Sequence, residues 1–245
     1  MSSVDVARLD RDGRVVAGSI GSLECDAVAV GYGFTANVEL AVALGCGTRV
    51  AADGGLAVIA GDDGQTTVEG VYAAGEITGV GGSALAVVEG ELAGSAAAFR
   101  AGGGSALSTR DRTAAIRRRD RLRSFADVMH AAHAAPASWP SWLAAETLIC
   151  RCEEVPYSSL VESVTELGAT DARTVKLLAR PGMGWCQGRV CGPSTAVLTA
   201  QACDRDVTRD DLTAFAHRPI ATPVRLSELA AEAAEAAEAV EAGEC

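Results

Sequence analysis

Residues 66–85 read TTVEGVYAAGEITGVGGSAL, a strand-like run that ends at an adjacent glycine and acid and continues through three more glycines. The pattern predicts a strand, a tight turn and a helix that begins near Ser83. Glycines allow a backbone to approach a ligand closely, and the first N–H groups of a helix attract electron-rich acceptors. The carboxylate of Glu76 can accept hydrogen bonds from sugar-like hydroxyls. An ordinary strand–turn–helix crossover explains the glycines alone equally well.

Around this run, up to about residue 105, short β-branched segments alternate with glycine turns, which predicts an α/β region. The predicted strands cover residues 15–16, 27–30, 56–59 and 71–74, and a hairpin is expected between 4–9 and 14–17. Helical spacing covers residues 38–44 and 83–100.

Changes in composition and hydrophobic pattern divide the 245 residues into four segments. Residues 1–105 form the α/β region, and residues 106–146 form an Arg-rich helical connector interrupted by Pro136 and Pro140. Residues 147–205 contain short amphipathic helices around four grouped cysteines. Residues 206–245 form an extension that ends in an Ala/Glu helix from Ser227 to Glu244, which is typical of a solvated acidic tail.

Composition narrows the function class. The formal net charge of −11 argues against a polybasic nucleic-acid binder. No uninterrupted apolar run predicts a membrane span, and the amino terminus lacks the apolar core of a signal peptide, so we expect a cytoplasmic protein. In that reducing compartment, eight cysteines indicate metal ligands or core thiols rather than disulfides.

Four cysteines form a constellation, Cys150-Arg151-Cys152 and, 33 residues later, Cys186-x4-Cys191. Loops before short helices are expected to bring the two pairs together. Four thiolates suit zinc or a [2Fe-2S] cluster, and structural zinc sites usually use C-x2-C pairs, which neither pair follows. A cluster is therefore favoured over zinc, and both over unligated thiols. Basic residues that are expected to offset the cluster charge, against Glu153 and Glu154, are Arg151, Lys176, Arg180 and Arg189. The cysteines interpreted as core or terminal thiols are Cys25, Cys46, Cys203 and Cys245.

Residues 149–203, with ICRCEEV and GMGWCQGRVCGP, resemble the bacterioferritin-associated-ferredoxin-like (BFD-like) [2Fe-2S] domain, in the version fused to flavoprotein subunits. The resemblance implies that the ligands of the cluster are Cys150, Cys152, Cys186 and Cys191.

Residues 66–84 resemble the second FAD-binding motif of flavoproteins with two dinucleotide-binding domains, and CDAVAVGYGFTANVELAVALGC at 25–46 resembles the strand and helix before it. The resemblance implies that Glu76, after Gly75, binds the ribityl chain of FAD. It also implies that the backbone at Gly82, Ser83 and Ala84 faces the flavin and pyrophosphate.

Together these segments resemble the FAD- and [2Fe-2S]-containing subunit of amine-oxidising dehydrogenases such as opine oxidase, D-hydroxyproline dehydrogenase and hydrogen cyanide synthase. The implied fold is α/β, a partial FAD/NAD(P)-binding, Rossmann-like domain followed by a small helical BFD-like domain. The implied function is an oxidoreductase subunit that relays electrons while a partner flavoprotein subunit oxidises an amino acid, imino acid or opine-like amine.

The G-x-G-x-x-G that opens such a family is absent from the sequence, which resembles the carboxy-terminal half of a subunit. Three explanations remain open: a split gene product whose nucleotide-binding half is a separate chain, a start-site error and a degenerate remnant. No catalytic constellation is recognised, and His130 and His133 are interpreted as surface or packing residues. The run Arg117–Arg119 is interpreted as a solvated face or a docking surface for an acidic partner. Two alternatives remain open, a [2Fe-2S] electron-transfer module without flavin and a zinc-stabilised interaction protein.

Overall fold

The computed structural model describes residues 2–31, 33–104 and 107–218, with residues 225, 227 and 230 beyond them. The predicted Ala/Glu helix falls outside the described residues at all but two positions, and Cys245 also falls outside them. In the described part of the chain, no helix combines the length and the apolar character needed to cross a membrane.

The described residues form an α/β structure of short strands and helices. The strands are β1 (Ser3–Val6), β2 (Gly21–Glu24), β3 (Thr48–Val50), β4 (Leu56–Val58), β5 (Leu148–Cys150) and β6 (Val155–Pro156). The helices are α1 (Glu39–Ala43), α2 (Ser83–Arg100), α3 (Thr109–Ala132), α4 (Tyr157–Thr165), α5 (Ala172–Ala179), α6 (Gly192–Ala202) and α7 (Arg209–Ala216).

The strands of the described residues pair as three separate antiparallel hairpins, β1 with β2, β3 with β4 and β5 with β6. No parallel pair occurs among them. The β4 strand is buried along its whole length, whereas β2 is exposed along its whole length. Strand β4 is therefore the buried strand of the β3–β4 hairpin, whereas β3 is exposed at two of its three residues.

The amino-terminal hairpin differs from the predicted one. The turn over residues 10–13 is present, because the Asp10 carboxylate accepts hydrogen bonds from the backbone N–H groups of Asp12 and Arg14 at 2.9 Å. Leu9 bridges Val15, but β1 pairs with β2 at residues 21–24.

Two other predicted strands are not formed as expected. The buried strand predicted over 27–30 is wrong: this segment is extended and exposed, because no strand of the described chain pairs with it and covers its apolar side chains. The segment 71–74 contributes a single bridge, between Gln65 and Tyr72, instead of a full strand. The glycine motif therefore follows an irregular extended segment.

One hydrophobic core joins the α/β region to the cysteine-containing helices. Its buried members come from both sides: Val38, Ala41, Val42, Cys46, Leu56, Val58 and Ala73, and Ala172, Ala196, Leu212, Phe215 and Ala216. Helix α7 contacts α5 and α6 on one side and β3, β4 and α1 on the other. The extension that follows residue 205 thus contributes a helix to the contact between the two regions.

The connector helix α3 packs along α2 and turns two arginines inward. Arg119 donates hydrogen bonds to Asp62 and Asp120, and Arg123 pairs with the buried Glu89 at 2.6 Å. The other two members of the predicted docking run, 117 and 118, are exposed. The Arg117–Arg119 run is therefore split, with its third member half-buried at the side of a cavity of about 240 Å³ beneath α3.

Candidate functional site

Two loops carry the four candidate ligands. Cys150 ends strand β5, and Cys152 lies in the turn between β5 and β6. Cys186 lies in the loop between α5 and α6, and Cys191 is the residue just before α6. The expectation that the cysteines lie in loops before short helices is confirmed for the second pair, since α6 begins at Gly192, directly after Cys191.

Residues with positive φ shape the second loop, which contains Cys186. Gly182 and Gly188 have φ of 77° and 83°, and Arg180 and Gln187 are non-glycine residues with φ of 69° and 48°. A side chain at position 184, which is a glycine, would overlap Cys152. The two cysteine loops are therefore in van der Waals contact, and the small residue at 184 allows their close approach.

The fold brings the two cysteine motifs together. Cys150 and Cys191 are buried in a common cluster with Val155, and Cys152 packs against that cluster. The backbone N–H of Gly182 donates to the Cys150 sulfur at 3.5 Å. Cys186 interacts electrostatically with Cys152 and with Cys191, so each motif lies beside the other.

The sulfurs differ in their surroundings. Burial raises the pKa of Cys191 to about 12, and Cys150 beside it acts in the same direction. At Cys186 burial also raises the pKa, but hydrogen bonds outweigh it and the net effect is a lowered pKa; they come from the backbone of Val190, Gly188 and Cys191 and from the Cys152 side chain. Backbone N–H groups that point at sulfur stabilise negative charge there, as a thiolate ligand requires.

The arrangement can be compared with the two cofactors that four thiolates suit. A single zinc ion needs three or four ligands that converge on one point, and a two-iron cluster needs two thiolates for each iron. Among the described residues, no three His, Cys, Asp or Glu side chains form a group that could hold a metal ion. This finding applies equally to zinc and to iron, so the preference for a cluster rests on the spacing of the cysteines in the sequence.

The basic residues near the cysteines already have partners. Arg180 pairs with Glu153 at 3.1 Å, and the Lys176 ammonium lies 5.7 Å above the centre of the Phe215 ring. Arg189, between the second two cysteines, pairs with a carboxylate of α1, that of residue 39, at 2.9 Å. These carboxylates reduce the positive charge that Arg180 and Arg189 could contribute beside a cluster.

The second candidate site is the glycine turn before α2. Gly75 and Glu76 open a short 3-10 helix, Gly75–Thr78, and Gly82 precedes α2 with φ of 85°. The three positions 82–84 are exposed, and within the described chain no side chain caps the amino terminus of α2. Its first N–H groups are thus accessible to a ligand.

The polar groups at the start of this turn are engaged within the protein. The Glu76 carboxylate accepts hydrogen bonds from the backbone N–H of Gly81 at 3.2 Å and of Gly82 at 2.8 Å. The N–H of Gly75 donates to Glu89 at 2.9 Å. The structure therefore brings the five predicted flavin-binding residues into one turn, in which Glu76 orders the backbone of its own loop.

The chain is similar in sequence to curated subunits of opine oxidase and of hydrogen cyanide synthase. The chain is 36% identical over 173 residues to the A subunit of opine oxidase from Agrobacterium tumefaciens (strain Ach5), covering 69% of this chain and 33% of that one. It is 34% identical over 173 residues to the A subunit of opine oxidase from Rhizobium meliloti (strain 1021), covering 68% and 35%. It is 28% identical over 192 residues to the HcnB subunit of hydrogen cyanide synthase from Pseudomonas aeruginosa, covering 78% and 41%.

The chain belongs to the family of these subunits. The family resemblance expected from the sequence is confirmed. The chain spans about a third of the length of the opine oxidase subunits that it matches. No family model and no solved structure matches the chain.

Two buried carboxylates at the site were missed by the sequence predictions. Glu89 accepts hydrogen bonds from Gly75, from the Thr78 hydroxyl at 2.7 Å and from Arg123. The second is Glu39, which receives two arginines. For Glu89 a signal existed, since it lies four residues after an apolar leucine on the buried face of α2, where an acid needs a partner.

The histidines add no site within the described residues. His130 lies 2.9 Å from the backbone carbonyl of Val80 through its Nε2 atom. No group of three potential metal ligands includes it or His133. His130 contacts the turn before α2, in keeping with the packing role expected from the sequence.

Proposed function

We propose that this chain is an oxidoreductase subunit that binds a [2Fe-2S] cluster through Cys150, Cys152, Cys186 and Cys191. The observation that carries the proposal is the close contact of the two loops that hold these cysteines, with Cys150 and Cys191 buried in one cluster and Cys152 packed against it. The names of the relatives, which are subunits of opine oxidase and of hydrogen cyanide synthase, support an oxidoreductase complex with at least one partner subunit.

We further propose a Rossmann-like contribution to an FAD site from the turn at Gly75, Glu76, Gly82, Ser83 and Ala84. The exposed, uncapped start of α2 supports this role, since its N–H groups suit the pyrophosphate oxygens of a dinucleotide. A G-x-G-x-x-G half, which these 245 residues do not contain, would complete the FAD site, and a partner flavoprotein subunit would oxidise an amino acid, imino acid or opine-like amine. When bound, FAD accepts two electrons and the cluster carries one at a time.

The residues of this chain would hold the cofactors and set their surroundings. The cysteine loops would exclude water from the cluster side of Cys150 and Cys191, which are almost fully buried. Backbone N–H groups around Cys186 would stabilise negative charge on its sulfur. Glu76 and Glu89 would hold the flavin-facing turn in its conformation.

A second candidate function is a [2Fe-2S] electron-transfer module without flavin. One observation favours it: the Glu76 carboxylate, which the family resemblance assigns to the ribityl chain, already accepts two backbone hydrogen bonds from its own loop. A carboxylate has room for more acceptor contacts, so both candidates remain proposals. Flavin content separates them. A zinc-stabilised interaction protein is the third outcome of the same experiment.

The test is anaerobic purification followed by an absorption spectrum and analysis of iron, sulfide and zinc. We expect about two irons and two sulfides per chain, as a [2Fe-2S] cluster requires. Cys186→Ser should lose both. The matched control is Cys203→Ser, because that thiol lies in the same helical region and contacts the Ala169 carbonyl at 3.7 Å, away from the two loops.

The outcomes discriminate between the candidates. Iron and sulfide with a flavin band, after mixing with a chain that carries the G-x-G-x-x-G half, support the full proposal. Iron and sulfide without flavin under every mixing condition support the electron-transfer module. Zinc without sulfide would refute both redox functions.

A further inference from the structure

A buried charge cluster links helix α1 to the second cysteine loop. Glu39 lies at the start of α1 and is 4% exposed. Its Oε1 atom accepts from Arg218 Nε at 2.7 Å and from Arg189 Nε at 2.9 Å. Arg218 follows α7, and its side chain is 6% exposed. One carboxylate thus holds two arginines that belong to different elements.

Both arginines contact the backbone of the second cysteine loop. Arg189 belongs to that loop and approaches the carbonyl of Cys186 at 3.4 Å through Nη1. Arg218 donates to the carbonyl of Phe215 at 2.7 Å and approaches the carbonyl of Gln187 at 3.5 Å. Glu39 of α1 therefore forms ion pairs with both the second cysteine loop and the residue that follows α7.

Burial makes this junction more than a surface ion pair. Glu39 and Arg218 are nearly inaccessible, and a charged group in such a place needs its partners to offset lost hydration. Arginine forms planar, directional hydrogen bonds, so the carboxylate also fixes the orientation of the guanidinium groups. The orientation of Arg189 in turn fixes the backbone between Cys186 and Cys191.

We propose that Glu39 is a positioning residue for the Cys186–Cys191 loop, which it fastens to helix α1 of the α/β region through Arg189 and Arg218. The inference rests on the proposed function and deepens it, since it names the residue that sets the geometry and the charge around two of the proposed ligands. Glu39 touches neither cofactor and acts through the arginines.

The charge consequence has a definite sign. The single Glu39 carboxylate offsets one of the two positive charges of Arg189 and Arg218, so two arginines and one acid leave the charge cluster with a net charge of +1. In Glu39→Gln the side chain keeps its shape, and the net charge rises to +2. A cluster gains negative charge on reduction, so unmatched positive charge nearby favours the reduced form and raises the midpoint potential.

The first arm of the test is hydrogen–deuterium exchange on the chain without cofactor. The amides of Gln187, Arg189 and Gly192 donate to backbone carbonyls within the loop and report on its order. In Glu39→Gln we expect exchange at these amides to accelerate at least tenfold, with little change at β3–β4. The control is Glu69→Gln, which removes the exposed ion pair of Glu69 with Arg100 at 2.6 Å and should leave amide exchange in the loop unchanged.

A milder variant guards against misfolding. Arg189→Gln leaves the pair of Glu39 with Arg218 in place and should accelerate the same three amides. In the double variant with Glu39→Gln, the effect should fall well short of the product of the two single effects, because both remove one interaction. Multiplicative effects, or exchange that rises equally throughout the chain, would overturn the proposal.

The second arm uses protein that carries the cluster. A higher midpoint potential in Glu39→Gln, with Glu69→Gln at the wild-type value, is expected. An unchanged potential in Glu39→Gln contradicts the proposed role in setting the charge of the site. If wild-type protein contains no iron or sulfide, the proposed function fails, while the exchange arm still decides whether Glu39 positions the loop.

Discussion

At the level of single residues, Asp211 in helix α7 makes the stability of the protein depend on pH. Its carboxylate accepts two hydrogen bonds from Arg205, at 2.7 and 2.8 Å, and forms a capping box with Thr208. The hydrogen bonds from Arg205, and after them those from Thr208, outweigh the opposing effect of burial and lower the pKa of Asp211 from 3.8 to about 2. The folded protein therefore binds a proton at this site less readily than the unfolded chain.

The pH dependence of stability follows from that sign. The contribution of Asp211 is complete well above its unfolded pKa, is lost as the pH falls towards the folded value, and amounts to about 2 kcal/mol. We expect Asp211→Asn to lower the unfolding free energy at neutral pH by about this amount and to flatten its pH dependence in that window. Urea titrations at several pH values measure both effects. Asp210→Asn, at an exposed neighbour paired with Arg209, should change neither.

Among the elements, helix α7 supports the cysteine loop through one aromatic ring. Phe215 is 4% exposed. A Cβ atom added at Gly182, Gly188 or Gly192 would lie within 2.9 Å of its side chain. Three glycines thus allow the loop to lie directly on the ring, and helix α7 determines the surface on which the loop folds.

Phe215→Ala should therefore disturb the loop as well as the core. We expect it to lower the unfolding free energy by about 3–5 kcal/mol, as for other buried aromatic truncations. In reconstituted protein, the iron content should fall. Chemical denaturation and iron analysis measure the two effects. Phe125→Ala, on the exposed face of α3, is the control. Full iron retention in folded Phe215→Ala protein would show that the ring does not support the loop.

In the molecule as a whole, the α/β region and the cysteine helices share one core. Leu212 of α7 is 5% exposed within that core, together with Val58 of β4 and Ala172 of α5. Regions that share buried contacts unfold together, whereas regions with separate cores unfold independently. We therefore expect a single cooperative unit.

Leu212→Ala tests this expectation. The substitution should cost about 2–5 kcal/mol and reduce the exchange protection of β4 and of α5 by similar free energies. Leu167→Ala, at a residue that is 57% exposed, should leave both unchanged. Loss of protection at α5 and α7 alone would mean that the two regions are independent units.

The local features of this protein could be predicted from its amino-acid order. The start of α2, the short helix after the second cysteine pair and the turn at residues 10–13 follow from periodicity, glycine conformation and side-chain hydrogen bonds within a few residues. The C-x-C and C-x4-C spacing likewise identified the four candidate ligands, and the motif strings identified the family. Such signals need no knowledge of distant parts of the chain.

The meeting of distant groups depends instead on the folded chain. Folding paired β1 with β2, left residues 27–30 exposed, buried Cys150 in one cluster with Cys191, and placed Glu39 against Arg189 and Arg218. The sequence of a short apolar helix does not predict which arginine its acid will bind, because nothing within a few residues distinguishes one arginine from another. The choice is made when the common core closes and leaves the buried carboxylate within reach of those two guanidinium groups.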